Sequence, residues 1–321
     1  MITMKKLLLT VLAGVSMVGM IGSGTESAAA AAGAPKQVEV LLNTVKMKFP
    51  DAKPFQDAQG SVMVPIRFVS EALGAKVTYS KEGKVSKVGV HSKDHKVDMT
   101  IGQTSALVDG QKKDYGTQIM LKQNRTFVPL RLVSEGLGEK VEWDKIGRWV
   151  WIGNKDFRST DDKEFKLTKL SDFKSYTKSD VYFKNIKGKS FSGIKIIKES
   201  DLPLQLGNSQ IVYSIDMVKR KATGRDLVQI RSSHRGNPIA FLMKNNHVKG
   251  RSVIDVSFVN NGDKTGMNYY PVISESDKFQ NGEYISNYTD WMNFKVKQSD
   301  YILLEDGDLD DYAVAIVNPF K

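Results

Sequence analysis

The chain has 321 residues, which is long enough for two domains of ordinary size. It carries 47 Lys and Arg against 36 Asp and Glu, and the resulting net charge of +11 favours anionic partners. It contains no cysteine, which excludes disulfide bonds, zinc–thiolate sites and cysteine nucleophiles.

The first 32 residues have the pattern of a secretory signal peptide. Lys5 and Lys6 precede an apolar stretch at residues 7–21, and a run of alanines at residues 28–32 offers a cleavage site. The apolar stretch is shorter than the roughly 20 residues that a membrane span needs, which argues against the alternative of an uncleaved anchor. We therefore predict a secreted protein with no membrane span after signal cleavage. A cysteine-free exported chain is typical of a Gram-positive bacterium.

A duplicated segment organises the first half of the chain. Residues 63–79 and 127–143 are identical at 10 of 17 positions, at a constant offset of 64 residues. In each copy, a proline starts a predicted helix with one aliphatic face, and a glycine follows where a left-handed cap is needed. An arginine and a glutamate are spaced to pair across one helical turn. We predict that these residues shape core-forming units and are not reactive centres. The repeat residues are Pro65, Arg67, Glu71, Gly74, Pro129, Arg131, Glu135 and Gly138.

The surrounding segments extend the pattern. Asp109-Gly110 is predicted to form a tight turn between two strands, and residues 123–127 lead into the second helix. With the motif V-P-x-R-x-V-S-E-x-L-G-x-x-V-x-W, these segments resemble the copper amine oxidase N-terminal domain family, also called the stalk domain, over residues 37–155. The resemblance implies a noncatalytic domain in which a β-sheet curls around a helix. The first copy departs from the family, because the NG turn is missing near Thr44, the NGR turn reads Gln59-Gly60-Ser61, and Tyr79 replaces a tryptophan.

The family name does not predict an amine oxidase. The resemblance implies that copper and the tyrosine-derived quinone of true oxidases lie in a separate, larger C-terminal domain, where copper needs three histidines. This chain has four histidines in all, and the segment Asn287-Tyr288-Thr289-Asp290 breaks the quinone motif. His91 and His95 are four residues apart, but the flanking alternation predicts a hairpin, which does not suit a metal pair. We expect no enzyme activity, no cofactor and no metal site.

The second half is predicted to be rich in β-structure. Residues 156–175 are polar and are predicted to link the first domain to a second domain, residues 176–321. The expected fold is an α+β N-terminal domain of two β-β-α-β-type repeats, with its sheet curled around short helices, followed by a mostly-β sandwich-like domain of unrecognised family. The predicted strands of the second domain are 181–186, 191–197, 211–218, 227–230, 239–243, 253–259, 291–296 and 313–317.

Charge is distributed unevenly in the second half. Residues 163–251 contain 19 basic and 7 acidic residues, a net charge of +12, whereas residues 252–321 contain 5 basic and 12 acidic residues, a net charge of −7. One interpretation is a basic face for wall teichoic acid or another polyanion. The favoured interpretation is that the cations solvate outer strand faces or neutralise the acidic segment.

Two further features have alternative interpretations. Trp149 and Trp151 lie on one face of a predicted strand and either bind a ligand or, as we favour, pack against the second domain. Residues 306–311 are rich in carboxylates, but their spacing does not match an EF-hand, so a solvated acidic loop is favoured over a calcium site.

The sequence contains no recognised catalytic motif, such as G-x-S-x-G or H-E-x-x-H. We expect a secreted, noncatalytic, envelope-associated binding or scaffold protein with a stalk-type domain. The alternative is a secreted polysaccharide or cell-wall hydrolase with the stalk domain as an accessory module, because the separation of a catalytic carboxylate pair depends on the fold. The expected partners are a cell-wall anionic polymer, a polysaccharide or an envelope protein, and no nucleic acid.

Overall fold

The computed structural model of the protein describes residues 30–31, 37–176, 181–185, 187–245, 247–259, 265–280, 283–284, 290–306 and 309–321. Within these residues the chain is mostly β-structure in several sheets, with two short α-helices. None of the helices in these ranges has the length and apolar character to cross a membrane. The predicted signal peptide lies outside the described residues, apart from Ala30 and Ala31.

The first half consists of short strands that flank two helices, α1 (Ile66–Ala72) and α2 (Leu130–Gly136). These strands are β2 (Glu39–Leu42), β3 (Val45–Lys46), β4 (Phe55–Gln56), β5 (Val62–Pro65), β6 (Lys76–Glu82), β7 (Val85–His91), β8 (Lys96–Thr100), β9 (Ser105–Val108), β10 (Gln111–Asp114), β11 (Met120–Lys122), β12 (Arg125–Pro129), β13 (Val141–Asp144) and β14 (Trp149–Ile152). Strand β1 (Ala30–Ala31) precedes them and pairs in a sheet of the second half.

Three sheets surround the two helices. Their orders are β10-β9-β8-β7-β6, β11-β12-β5-β4 and β13-β14-β2-β3, and the pair β14–β2 is parallel. The aliphatic stripe of each helix is buried in one shared core, with Val69 of α1 and Val133 of α2 fully inaccessible. The helices are only seven residues long, so tertiary burial stabilises them far more than helix propensity does.

The two copies of the duplicated segment meet through one strand pair. Strand β5 pairs antiparallel with β12, with Val64 opposite Val128, Pro65 opposite Phe127 and Met63 opposite Pro129. Val64 and Val128 are equivalent positions of the two copies and lie opposite each other. This strand pair is therefore arranged as if a local two-fold axis related the copies. This pairing brings the turn before each helix next to the helix of the other copy.

Both helices end in the same way. The N–H of Gly74 donates to the carbonyl of Glu71 (3.0 Å), and the N–H of Ala75 donates to the carbonyl of Ser70 (2.8 Å). Gly138 and Glu139 make the equivalent bonds in α2 (3.1 and 2.8 Å). This is a Schellman closure, which requires the positive φ of the two glycines, +73° and +81°.

One local prediction needs correction, and one turn departs from the family pattern. The prolines do not occupy the first helical position: Pro65 and Pro129 end their strands and act as N-caps, one residue earlier than expected. Near Thr44 a tight turn forms without the NG pair of the family, because Asn43 and Thr44 both have positive φ between β2 and β3. Positive φ strains a β-branched residue such as Thr44, whose hydroxyl lies within hydrogen-bond distance of the carbonyl oxygens of Asn43 (2.6 Å) and Asp156 (3.0 Å).

The second half contains the remaining strands and the short 3₁₀ helices of the described chain. The strands are β15 (Leu167–Lys169), β16 (Gly193–Ile197), β17 (Leu204–Gln205), β18 (Ile211–Arg220), β19 (Asp226–Ser232), β20 (Ile239–Met243), β21 (His247–Arg251), β22 (Asp255–Val259), β23 (Thr265–Pro271), β24 (Phe279–Gln280), β25 (Glu283–Tyr284), β26 (Tyr301–Leu304) and β27 (Tyr312–Val317). The 3₁₀ helices are Leu170–Phe173, Val181–Phe183, Glu199–Asp201, Glu275–Lys278, Asp290–Asn293 and Val296–Gln298.

Two six-stranded sheets share one core in this half. One sheet has the order β1-β18-β19-β23-β22, with β17 also paired to β18, and the other has the order β15-β16-β27-β26-β20-β21. Alternate residues of β19, such as Val228 and Ile230, pack in the same cluster as Phe241 of β20 and Val314 of β27. The first sheet therefore buries one face against the second sheet, which leaves its other face for the first half of the chain.

The strand predictions for this half are partly wrong. Residues 181–183 and 290–293 form 3₁₀ helices where strands were expected, and Ile186 lies outside the described residues. Strands β15, β17, β21, β23, β24, β25 and β26 were not predicted. The segment expected to be a linker, residues 156–175, contributes β15 to a sheet and Phe173 to the core. Its polar composition reflects exposed positions of packed structure.

Candidate binding grooves and the domain interface

The two tryptophans of β14 lie between the two halves of the chain. Trp149 and Trp151 are 3% and 2% exposed, on the strand face opposite Val150. Trp151 packs edge-on against Phe157 with ring centroids 5.9 Å apart, and Phe157 packs edge-on against Tyr213 of β18 at 5.6 Å. The indole N–H of Trp149 donates to a carboxylate oxygen of Glu39 (2.8 Å). These rings are therefore largely covered by the chain itself, although an edge of Trp149 lines a cavity of about 370 Å³.

A buried ion pair lies beside the tryptophans. Arg231 of β19 contacts the carboxylate of Asp144 at the end of β13, and its Nε donates to the hydroxyl of Thr265 (3.0 Å). The other oxygen of Asp144 accepts the backbone N–H groups of Ile146 (2.9 Å) and Gly147 (3.0 Å). The interface thus joins an aromatic cluster and a charged pair, and it fixes the first half against the outer face of the first six-stranded sheet.

The charged residues of the repeat lie on the surface. Arg67 and Glu71 approach to 3.9 Å, as do Arg131 and Glu135, and all four side chains are largely exposed. The predicted i, i+4 pairs are therefore weak contacts on the outer faces of α1 and α2. Each arginine also lines an open groove, which the sequence had not indicated.

The groove beside the first helix has a volume of about 660 Å³. Tyr79 of β6 is 48% exposed at this groove, and the guanidinium of Arg67 lies 5.7 Å from the centre of its ring. We call this the α1 groove; it is lined by residues 65–68, 79–81, 86–87, 101, 121 and 124–126.

The groove beside the second helix has a volume of about 780 Å³. Here Lys140 and Lys155 hydrogen-bond to Glu142 and lower the pKa of its carboxyl group to about 2. Burial, with a smaller contribution from the charge of Glu135, raises the pKa of Tyr115. We call this the α2 groove; it is lined by residues 59–62, 113–115, 129–131, 135, 141–143 and 150.

The two grooves occupy equivalent positions in the two copies. Each combines the start of a helix, an aromatic residue of the following strand and the turn of the opposite copy. This composition follows from the pairing of β5 with β12. At the offset of 64 residues, Pro65, Arg67, Tyr79 and Ser86 of the α1 groove correspond to Pro129, Arg131, Trp143 and Val150 of the α2 groove.

Comparison with known families agrees with this architecture. Residues 41–152 match the sequence model of the family described as the copper amine oxidase N-terminal domain. Residues 41–152 form a copper amine oxidase N-terminal domain. No curated protein and no solved structure matches the chain, and the second half has no family match.

The histidines of the copper amine oxidase N-terminal domain make separate contacts. His91 ends β7 and lies 3.4 Å from Asp98, whereas the Nδ1 atom of His95 lies 2.9 Å from a carboxylate oxygen of Asp109. Hydrogen bonding by His95 lowers the pKa of Asp109. Within the described ranges, no three histidine or acidic side chains are grouped as a metal site.

Cations of the basic segment pair with the acidic segment that follows it. Arg251 contacts Asp277 (2.7 Å), Lys249 contacts the same carboxylate (3.2 Å), and Lys187 contacts Asp310 (3.1 Å). Asp277 lies in the 3₁₀ helix Glu275–Lys278, and strands of both segments lie side by side in one sheet. Part of the excess positive charge is therefore neutralised within the fold.

The acidic loop at residues 306–311 lies partly outside the described residues, since residues 307 and 308 are not described. Asp306 is buried and accepts a hydrogen bond from Gln210 (3.3 Å). Asp311 accepts a hydrogen bond from the hydroxyl of Ser192 (3.0 Å). Both carboxylates therefore form hydrogen bonds with other parts of the protein. A loop that contacts solvent alone, as predicted, would form no such bonds.

Proposed function

We propose that the protein is a secreted, noncatalytic binding protein of the bacterial cell envelope. The signal-peptide pattern supports secretion, and the positive net charge favours the anionic polymers of a Gram-positive wall. The copper amine oxidase N-terminal domain acts as the docking module, and the β-rich second half is its fixed neighbour.

The observation that carries this proposal is the pair of open grooves beside α1 and α2. Open concave surfaces that combine apolar area with a few convergent charged groups are typical of ligand sites. Their volumes, about 660 and 780 Å³, are in the range of small-ligand sites. The tryptophans, in contrast, pack in one cluster with Phe157 and Tyr213 at the interface. We therefore do not include them in the ligand site.

Binding to isolated cell walls tests the proposal directly. The purified protein is incubated with walls that retain teichoic acid and with walls from which it has been extracted, over a series of salt concentrations. We expect retention on intact walls that declines as salt rises, because screening weakens contacts between exposed charges. An absence of retention at low salt on the intact walls would overturn the proposal.

The alternative of a polysaccharide hydrolase depends on Glu305. Burial raises the pKa of Glu305, which suits a general acid, and this residue lines a cavity of about 280 Å³ together with Asp306. However, Asp306 is engaged by Gln210, and the cavity is slightly smaller than typical ligand sites. A hydrolase would release reducing sugar from purified walls, and Glu305→Gln would abolish that release. We expect no release from either protein.

A further inference from the structure

We propose that the α1 groove is the polymer-binding site, and that it takes a repeat unit carrying a phosphate or a carboxylate group. The inference rests on the proposed binding function and adds the position of the site and the charge of its ligand. It differs from the less favoured of the two interpretations from sequence, a basic face in the second half of the chain.

The two grooves are equivalent in position but differ in charge. The α1 groove is lined by four cations, Arg67, Lys81, Lys87 and Arg125, and by no acidic residue, a net charge of +4. The α2 groove is lined by two cations and three acidic residues, a net charge of −1. The lining of the α1 groove therefore favours an anion more than that of the α2 groove, where cations and carboxylates lie together.

The cations of the α1 groove can exchange their present contacts for a ligand. Arg67 is 3.9 Å from Glu71, Lys87 is 2.7 Å from Glu82, and Arg125 contacts Asp51. None of these carboxylates lines the groove, and the pairs lie at the surface. Exposed ion pairs contribute little to stability, so an entering anion can compete for the same cations at small cost.

Tyr79 gives the groove a second kind of contact. Its exposed ring is flanked by the guanidinium of Arg67, which is also held near Glu71. A planar guanidinium can donate two parallel hydrogen bonds to a phosphate or a carboxylate, and an aromatic face packs against a sugar ring. The neighbouring pair therefore fits an anionic sugar unit better than an isolated anion.

The second half of the chain offers a weaker site. Lys249 and Arg251 pair with Asp277, and all three side chains are buried or nearly so, which makes these cations less accessible to an anion than the exposed cations of the α1 groove. Exposed cations at the turn after β18, such as Lys221 and Arg225, lie on a hairpin outside both the α1 groove and the α2 groove. Removing two positive charges from this hairpin therefore controls for the effect of net charge alone on polymer binding.

The test measures equilibrium binding of the full protein to poly(glycerol phosphate), polygalacturonic acid and neutral dextran at low salt. The test variant is Arg67→Gln/Lys87→Gln. The control variants are Lys221→Gln/Arg225→Gln, which removes the same charge elsewhere, and Arg131→Gln, which changes the equivalent arginine of the α2 groove. All these side chains are at the surface, so circular dichroism and the thermal midpoint should stay unchanged.

We expect both anionic polymers to bind and dextran to bind at least tenfold more weakly. Removal of the two groove cations should weaken anion binding roughly tenfold, whereas either control should change it less than twofold. Tyr79→Ala should weaken binding of polygalacturonic acid, which has sugar rings, more than that of poly(glycerol phosphate), which has none. Binding of only one anionic polymer would identify phosphate or carboxylate as the ligand group and would still support the site.

Other results would contradict the inference. If the wild-type protein binds anionic polymers and the groove variant binds them equally well, the site is wrong and the proposed function stands. If dextran binds as tightly as the anions, the charge of the ligand is wrong. If none of the polymers binds and isolated walls do not retain the protein either, the proposed function fails with it.

Discussion

Arg231 and Asp144 form an ion pair across the interface between the copper amine oxidase N-terminal domain and the second half of the chain. Their side chains are 1% and 2% exposed, and 87 residues separate them in sequence. A buried charge is costly unless it is paired, so each residue depends on the other. The pair therefore couples the stability of one half of the chain to correct docking of the other.

Loss of either charge should destabilise the protein. We expect Arg231→Met or Asp144→Asn to lower the free energy of unfolding by about 3–5 kcal/mol, because each leaves a buried charge without its partner. Urea denaturation followed by tryptophan fluorescence measures the change. Weakened docking should also split one transition into two, since the halves would then unfold separately.

The double variant Arg231→Met/Asp144→Asn is the control for this prediction. It removes both charges, while the oxygen of the introduced amide can still accept the N–H groups of the following turn. We expect it to be more stable than either single variant. Additive losses in the double variant would contradict a direct interaction between the two charges.

The two interface tryptophans should respond differently to replacement by phenylalanine. The N–H of Trp149 donates to Glu39, whereas the N–H of Trp151 is buried with no hydrogen-bond partner among the described residues. We expect Trp149→Phe to cost about 1 kcal/mol more than Trp151→Phe, because only the first loses a hydrogen bond. Paired urea titrations test this. Equal losses would show that packing volume alone determines the effect, and neither variant should alter polymer binding.

The local structure of the repeat could be read from sequence. The spacing of Ile66 and Val69 predicts the buried helix face, and Gly74 predicts the left-handed cap. The dipeptide Asp109-Gly110 predicts the two-residue turn between β9 and β10, where both residues have positive φ. Each of these features is set by residues within one or two turns of chain.

The interface and the grooves could not be read in this way, because both depend on contacts between distant segments. The α1 groove exists because β5 pairs with β12, which brings Arg125 next to Arg67. Tyr213 reaches the tryptophans at an irregularity in the pairing of β18 with β19, between Val212 and Ser214. The pattern of residues within a single segment predicts neither of these contacts.

The two cap glycines form a matched pair for substitution. An added Cβ at Gly74 meets nothing within 4 Å, whereas one at Gly138 would lie 2.8 Å from the Nε2 atom of His95. We expect Gly74→Ala to cost about 1 kcal/mol, from the left-handed backbone alone, and Gly138→Ala to cost about 2 kcal/mol or more. Thermal or urea unfolding measures both. In a His95→Ala background the two costs should converge, and a persistent difference would contradict the steric explanation.

Glu142 should make the stability of the first domain dependent on pH in the acidic range. Hydrogen bonds from Lys140 and Lys155 lower its pKa from 4.5 to about 2, so the folded state binds this proton less readily than the unfolded state. The stabilisation is therefore present above pH 4.5 and is lost as the pH falls towards 2.

Because this carboxylate is partly exposed, solvent screening limits the effect to less than about 1 kcal/mol. We expect Glu142→Gln to be less stable than the wild-type protein at pH 7 and indistinguishable from it at pH 2, as measured by urea denaturation at both values. The matched variant Glu71→Gln, whose only ion pair among the described residues is the 3.9 Å contact with Arg67, should show a smaller difference at pH 7. A deficit for Glu142→Gln that persists at pH 2 would show that the lost contacts do not depend on the charge of the carboxylate.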